Sequence, residues 1–85
     1  MNEIQWRVLA IKQLRKIAPR HAQQIRTAVS AELVDLSQAR NVKKLKKHQY
    51  PYRLRMGNYR VFFSHDGQVE IVAIEEVVKR DERTY

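Results

Sequence analysis

Residues 50–63 decide the fold, and they read YPYRLRMGNYRVFF. Apolar side chains alternate with Arg53 and Arg55 over residues 52–56, and a period of two is typical of a strand with one buried face. Gly57-Asn58 then predicts a tight turn, and residues 59–63 predict a second, mostly apolar strand. We therefore expect an antiparallel hairpin with two arginines on its solvent face.

The segments on either side of this hairpin predict two further strands. Asp66-Gly67 marks another hairpin turn, and the β-branched run 69–78 predicts a long last strand. These three strands form an antiparallel meander. Weak alternation over residues 3–8 predicts a short first strand, which we expect to add at an edge of the sheet.

Between the first strand and the meander, apolar residues recur at helical spacing. Proline is tolerated in the first turn of a helix and not inside one, so Pro19 predicts that one helix ends near Ile17 and a second begins. Residues 37–42 are polar and predict a loop. The order is β-α-α-β-β-β, a single α+β domain over residues 1–85 in which an antiparallel helix pair covers one face of the sheet in two layers.

Composition excludes several classes of protein. The chain has 85 residues and no cysteine, which excludes a disulfide scaffold, a thiol nucleophile and a cysteine-ligated metal. The three histidines show no ligand spacing, so neither a metal nor a cofactor is expected. No apolar run is long enough for a membrane span, and the N-terminus lacks the pattern of a signal peptide. We expect a cytoplasmic protein without membrane contact.

Positive charge is concentrated in one part of the sequence. The net charge is +8, and residues 36–65 contain no Asp or Glu. The basic residues of this segment are Arg40, Lys43, Lys44, Lys46, Lys47, Arg53, Arg55 and Arg60. Arginine offers a fork of donors that matches phosphate oxygens, so the segment favours binding of a nucleic-acid backbone. The sequence leaves open whether Arg60 shares a face with Arg53 and Arg55.

At this point the sequence resembles a known family. The residues that carry the resemblance are Lys44-Leu45-Lys46, Tyr52-Arg53-Leu54-Arg55, Gly57-Asn58-Tyr59-Arg60-Val61-Phe62-Phe63, Lys79-Arg80 and Tyr85. They resemble the RelE/ParE superfamily of toxins from type II toxin–antitoxin modules, and the length and element order agree. Because the basic set is complete, the resemblance favours the RelE-like branch, whose members enter the ribosomal A site and cut mRNA there.

The resemblance implies roles for individual residues. Arg60 and Arg80 would stabilise charge on the phosphate, Lys46 would act as an acid or a phosphate contact, and Tyr85 as a general base or a stacking residue. The implied RNA or phosphate contacts are Arg53, Arg55, Lys43, Lys44, Lys47 and Arg83. An alternative interpretation is that the lysines of residues 43–47 form a solvated surface patch without a ligand. The implied reaction needs no metal, because the 2′-OH of RNA is itself the nucleophile.

The implied partners are the 70S ribosome with its mRNA and a cognate antitoxin, whose acidic segment would cover the basic face in a toxin–antitoxin hetero-oligomer. Two other functions stay open: a ParE-like poison of DNA gyrase, and an RNA-binding module without chemistry.

Two further expectations concern packing. The aromatic residues Trp6, Phe62 and Phe63 are expected in the core. Glu75 and Glu76 are neighbours on a strand, so they are expected on opposite faces, one of them paired with an arginine of the sheet.

Overall fold

Two helices and five strands follow one another in the computed structural model, which describes residues 1–80. The elements are β1 (Glu3–Trp6), α1 (Val8–Arg15), α2 (Pro19–Glu32), a single 3-10 turn (Leu36–Gln38), β2 (Val42–Lys44), β3 (Tyr52–Met56), β4 (Tyr59–Asp66) and β5 (Ile71–Lys79). The predicted α+β order is confirmed, and the short strand β2 is an addition that the sequence did not predict.

The strands form one sheet in the order β1-β5-β4-β3-β2. Strand β1 lies at an edge, as predicted, and pairs in parallel with β5, whereas the other neighbours are antiparallel. A parallel pair needs a long crossover, and the two helices are part of the chain that supplies it. They cover one face of the sheet, which leaves the opposite face open to solvent.

The core lies between the helices and this covered face. Ile25, Val29 and Leu33 from the α2 segment are fully buried with Leu54, Val61, Phe63, Val72 and Ile74 of the sheet. Pro19 occupies the start of α2, where a missing N–H costs nothing, so the predicted break between the helices is confirmed. Burying one such side chain contributes about 1.5–3 kcal/mol.

Helix α1 closes an edge that β1 leaves open. Strand β1 ends at Trp6, opposite Ile74, so the following half of β5 is paired with β4 on one side only. The Gln13 side chain of α1 fills part of this gap, since its Oε1 accepts a hydrogen bond from the Val77 N–H at 2.6 Å. A free strand edge is a template for unwanted pairing, and this contact satisfies one of its donors.

The second hairpin turn differs from the prediction. Strand β4 continues to Asp66, and residues 67–70 form a four-residue connection instead of a two-residue turn at Asp66-Gly67. The Asp66 carboxylate accepts a hydrogen bond from the Gln68 N–H at 2.9 Å, the local bond by which aspartate competes with the sheet. Val69 is consequently exposed in the turn, and β5 begins at Ile71.

Candidate nucleic-acid interface

Arg53, Arg55 and Arg60 lie on the uncovered face of the sheet, and we call these three residues the arginine face. Leu54 between the first two is buried in the core, so period-two alternation directs its neighbours to the other side. Gly57, with a φ of +57°, and Asn58 close a two-residue turn. This turn sets Arg55 directly opposite Arg60, which resolves the register that the sequence left open.

The Arg55–Arg60 pair is of the close type. The Arg55 N–H donates to the Asn41 carbonyl at 2.9 Å, away from β4, so Arg55 and Arg60 form a non-hydrogen-bonded pair. In such pairs the Cα atoms are about 4.5 Å apart and the side chains are near each other. Like charges directly opposite destabilise a sheet. Within residues 1–80 the ion pairs are Met1–Glu70 and Arg7–Glu75, and neither neutralises the arginine face.

Two further cations extend this face. Lys43 of β2 is the register partner of Arg53, so it shares that face. Arg80 follows the end of β5, two residues after Val78, the partner of Arg60. The Arg80 N–H donates to the Asn58 carbonyl at 2.6 Å, which fixes its backbone beside the hairpin turn. The basic residues therefore span the sheet from its β2 edge to the end of β5.

The other predicted basic residues are placed differently. Lys44 pairs with Tyr52, whose side chain stacks on the buried Phe63 at 5.3 Å, so Lys44 belongs to the opposite face. Lys46 and Lys47 are exposed on the connection 45–51 between β2 and β3. Arg83 and Tyr85 lie outside the described residues.

Three aromatic rings stand beside the arginines, and we call His48, Tyr50 and Phe62 the aromatic cluster. The prediction that Phe62 is a core residue is wrong. It is the register partner of Arg53 and lies two residues from Arg60, so it shares their face. His48 stacks on it with ring centroids 4.9 Å apart and an interplanar angle of 18°, and Tyr50 contacts it at 5.7 Å. Phe63, in contrast, is buried as predicted.

The connection 45–51 crosses over β3, because its rings contact Phe62 on β4. His48 and Tyr50 belong to that connection and contact Phe62 on β4, and Arg53 of β3 lies between them and Phe62 in the sheet order. Arg53 is accordingly half-buried, and its Nε is shielded from solvent without a hydrogen-bond partner among the described residues. Arg55 is exposed and Arg60 half-buried, so the accessible part of the arginine face is their pair.

A β-bulge puts two carboxylates on this same face. Phe62 pairs with Glu76 and Phe63 with Ile74, so Glu75 is an extra residue in β5. Glu75 Oε2 accepts from the Ser64 hydroxyl at 3.0 Å, and Ser64 shares the face of Phe62. The expectation that Glu75 and Glu76 point to opposite faces is wrong for this reason.

Although both carboxylates share this face, neither forms an ion pair with Arg53, Arg55 or Arg60 among the described residues. Glu75 Oε1 lies 3.7 Å from Nε of Arg7, the residue before α1. The expected pairing with an arginine of the sheet is therefore not observed. Glu76 Oε1 accepts a hydrogen bond from Gln13 Nε2 at 3.3 Å. Desolvation raises the pKa of the Tyr50 phenol above its ordinary value, and a hydrogen bond to Glu76 raises it further. Glu76 thus links helix α1 to the aromatic cluster.

The histidines do not form a metal site in the described part of the chain. His21 bonds the Tyr59 hydroxyl at 3.0 Å, and His65 bonds Asn2 at 3.2 Å, at different places in the fold. Within residues 1–80, no group of three or more metal-ligating side chains is assembled. None of the helices described here is long and apolar enough to cross a membrane.

Comparisons with solved structures identify the fold. The RelBE2 toxin–antitoxin complex of Mycobacterium tuberculosis matches with a TM-score of 0.75 and 21% identity over 93% of this chain and 98% of that one. The isolated RelE toxin of E. coli matches with a TM-score of 0.77 and 15% identity over 96% and 87%. The RelE–RelB complex of Pyrococcus horikoshii OT3 gives 0.71 and 22% over 95% and 97%. At these identities the likeness concerns the fold.

Sequence comparison identifies the family. No curated protein matches the chain. The family model of the ParE toxin, from the type II toxin–antitoxin system parDE, matches residues 4–83. The expected RelE/ParE superfamily is thereby confirmed, with a RelE-like fold. This chain belongs to the ParE toxin family of type II toxin–antitoxin systems.

Proposed function

We propose that this toxin is an endoribonuclease that cuts mRNA in the ribosomal A site and so inhibits translation. The observation that carries the proposal is the Arg55–Arg60 pair, two cations held side by side with no carboxylate to neutralise them among residues 1–80. Because such a pair costs stability in the free protein, its use lies in binding an anion. A phosphate of the RNA backbone is the anion that guanidinium groups match best.

The cut requires three proton and charge movements. The 2′-oxygen attacks the adjacent phosphorus, its proton goes to a base, and the bond from phosphorus to the 5′-oxygen breaks as that oxygen takes up a proton. The products are a 2′,3′-cyclic phosphate and a free 5′-hydroxyl. We assign charge stabilisation on the phosphorus to Arg60 and Arg80, proton donation or a phosphate contact to Lys46, and proton removal or stacking to Tyr85.

Dependence on the ribosome follows from the shape of the face. The arginine face is an open sheet surface, and arginine cannot lose a proton to serve as a base. A second body that orders the mRNA against this face would supply the orientation that the toxin alone lacks. Action on ribosomes places the toxin in the cytoplasm.

We also propose a cognate antitoxin as partner. Several matching solved structures are complexes of RelE with RelB. In this chain an acidic segment of the antitoxin would cover the arginine face and relieve the repulsion between Arg55 and Arg60. Substrate and antitoxin would then compete for one surface.

The test is a cleavage map on ribosomes stalled on a defined mRNA, read by primer extension. Arg60→Ala is the test variant, and Arg26→Ala is the matched control, since Arg26 is an exposed arginine on α2. We expect A-site cuts with wild type and Arg26→Ala and at least a hundredfold slower cutting with Arg60→Ala, the size of effect typical of a lost charge-stabilising donor. Equal cutting by both variants would remove Arg60 from the reaction.

A gyrase poison is the second candidate, because the family model that matches is that of ParE toxins. It makes the opposite prediction in the same preparation. The toxin would leave mRNA on ribosomes uncut and inhibit DNA supercoiling by purified gyrase.

A further inference from the structure

The aromatic cluster has no role in the core, yet the chain holds it in a fixed arrangement. His48 lies parallel on Phe62, and its ring centroid is 6.0 Å from that of Tyr50. Phe62 is half-buried and His48 is exposed, so one face of the His48 ring is covered by Phe62 and the ring still meets solvent. A flat, exposed ring backed by a second ring is a surface on which a further planar group stacks.

Local hydrogen bonds fix the orientation of His48. The Tyr50 N–H donates to His48 Nδ1 at 3.0 Å, so the neutral ring carries its proton on Nε2. The Leu45 N–H donates to the Pro51 carbonyl at 2.8 Å and closes the connection 45–51 at its base. Lys47, next to His48, has a φ of +54°, a backbone conformation that is uncommon for residues other than glycine.

A second chain of contacts supports Tyr50 from the far side. Desolvation raises the pKa of the Tyr50 phenol and the neighbouring Glu76 raises it further, while Gln13 Nε2 donates to the Glu76 carboxylate at 3.3 Å. Gln13 is in turn bound to the backbone of β5 through Val77. His48 and Tyr50 are thus held against Phe62 of the sheet, and such preorganisation lowers the entropy lost when a ligand binds.

The position of the cluster indicates what stacks there. Phe62 and Arg60 are two residues apart on β4 and share a face, a separation of about 7 Å along a strand. A nucleotide whose base lies on His48 therefore has a phosphate within reach of the arginine pair. Every nucleobase has a flat π-surface, so stacking is the contact that single-stranded RNA offers whatever its sequence.

We propose that His48, backed by Phe62 and Tyr50, is a stacking platform for one nucleobase of single-stranded RNA whose phosphates bind Arg55 and Arg60. The proposal rests on the proposed function, because it takes RNA as the ligand of the arginine face. It assigns the connection 45–51 to binding, in addition to the lysines that it carries.

The test compares a short oligo-uridine with an abasic ribose-phosphate oligomer of the same length and charge. Affinities are measured by fluorescence anisotropy for wild type, His48→Ala, His48→Tyr and Gln49→Ala, the last a matched control at the exposed neighbouring position. We expect wild type to bind oligo-uridine about tenfold more tightly than the abasic oligomer, the effect of one stacked base. His48→Ala should lose this difference, whereas His48→Tyr and Gln49→Ala should keep it.

A variant that loses only a phosphate contact is distinguished from one that loses the stacking platform by the ratio of the two affinities. Arg55→Gln should weaken the binding of both oligomers by the same factor and leave the ratio of their affinities unchanged. Equal wild-type affinity for the two oligomers, or an unchanged ratio in His48→Ala, would overturn the stacking platform and leave the proposed function standing. Tighter binding of oligo-uridine than of the abasic oligomer, without any cut of mRNA on ribosomes, would support the stacking platform and overturn the proposed endoribonuclease. If His48→Ala weakens the antitoxin complex and leaves the RNA affinities unchanged, the platform binds protein and the proposal is wrong.

Discussion

Replacing Arg55 by glutamine should stabilise the free toxin, although it removes a charged residue from the proposed site. Arg55 is exposed and lies directly opposite Arg60 in the close type of cross-strand pair. If the two charges are about 7 Å apart, Coulomb's law in water gives a repulsion of about 0.6 kcal/mol. Glutamine removes this repulsion and leaves most of the aliphatic stem in place.

The repulsion between Arg55 and Arg60 should depend on the salt concentration. At an ionic strength of about 0.01 M the screening length is about 30 Å, so most of the repulsion persists. At about 1 M the screening length is about 3 Å, and the repulsion nearly vanishes. A gain of about 0.5 kcal/mol in a domain of this size corresponds to a rise of about 2–4 °C in melting temperature. We expect this rise at low salt and none at high salt.

The assay is a double-mutant cycle on thermal unfolding with Arg55→Gln, Arg60→Gln and the double variant. Because both single variants remove the same repulsion, the double variant should gain no more than one of them. Arg26→Gln on α2 is the control, and its effect should add to that of Arg55→Gln. If Arg55→Gln lowers the melting temperature at low salt, or if the effects of the two arginine variants add fully, then the two charges do not repel each other and the pair does not need an anion to relieve it.

Three further predictions concern the rest of the structure. Gln13→Leu should lower the free energy of unfolding in urea by about 1–3 kcal/mol, since it leaves the Val77 N–H without its partner, and an unchanged value would show that water replaces the side chain. Phe63→Ala should cost about 3–5 kcal/mol in the same measurement, because the ring is fully buried; a cost under about 1 kcal/mol would place it outside the core. The pKa of the Tyr50 phenol should lie above its ordinary value of about 10. Its ionisation is measured as the difference between the ultraviolet pH titrations of wild type and Tyr50→Phe. The neutral phenol's contribution to stability is therefore complete below about pH 10 and lost as the pH rises through the raised pKa, and a midpoint below about 10 would contradict the desolvation of Tyr50 and its contact with Glu76.

Local patterns in the sequence were sufficient for the order of the elements other than β2 and for most of the arginine face. Alternation over residues 52–56 separates Leu54 from Arg53 and Arg55, and Pro19 divides the helices. A two-residue turn at Gly57-Asn58 also implies the register, since the residues flanking it must pair with each other. Applied one step further, that rule places Arg60 opposite Arg55, so the signal for the pair was present in the sequence.

The aromatic cluster had a weaker signal. Period two along β4 sets Phe62 with Arg60, but the pair Phe62-Phe63 reads as one apolar unit and suggests the core for both. The stacking of His48 on Phe62 depends on the path of the connection 45–51, which no local pattern fixes.

Two other features depend on tertiary contacts. Strand β2 has only the residues Val42–Lys44, too few to show alternation, and it forms because β3 offers it an edge. The bulge at Glu75 reverses the side of one carboxylate, and it arises from the pairing between β4 and β5. The position of Glu75 and Glu76 was therefore not predictable from neighbouring residues.

The salt dependence of RNA binding tests most directly that the arginine face contacts phosphates. The affinity for oligo-uridine is measured over a series of salt concentrations for wild type, Arg55→Gln, Arg60→Gln and Arg26→Gln. Each lost phosphate contact on single-stranded RNA should reduce the slope of log affinity against log salt by about 0.7. We predict this reduction for Arg55→Gln and Arg60→Gln and the wild-type slope for Arg26→Gln. Equal slopes for all four proteins would contradict the account, because RNA would then be bound elsewhere on the toxin.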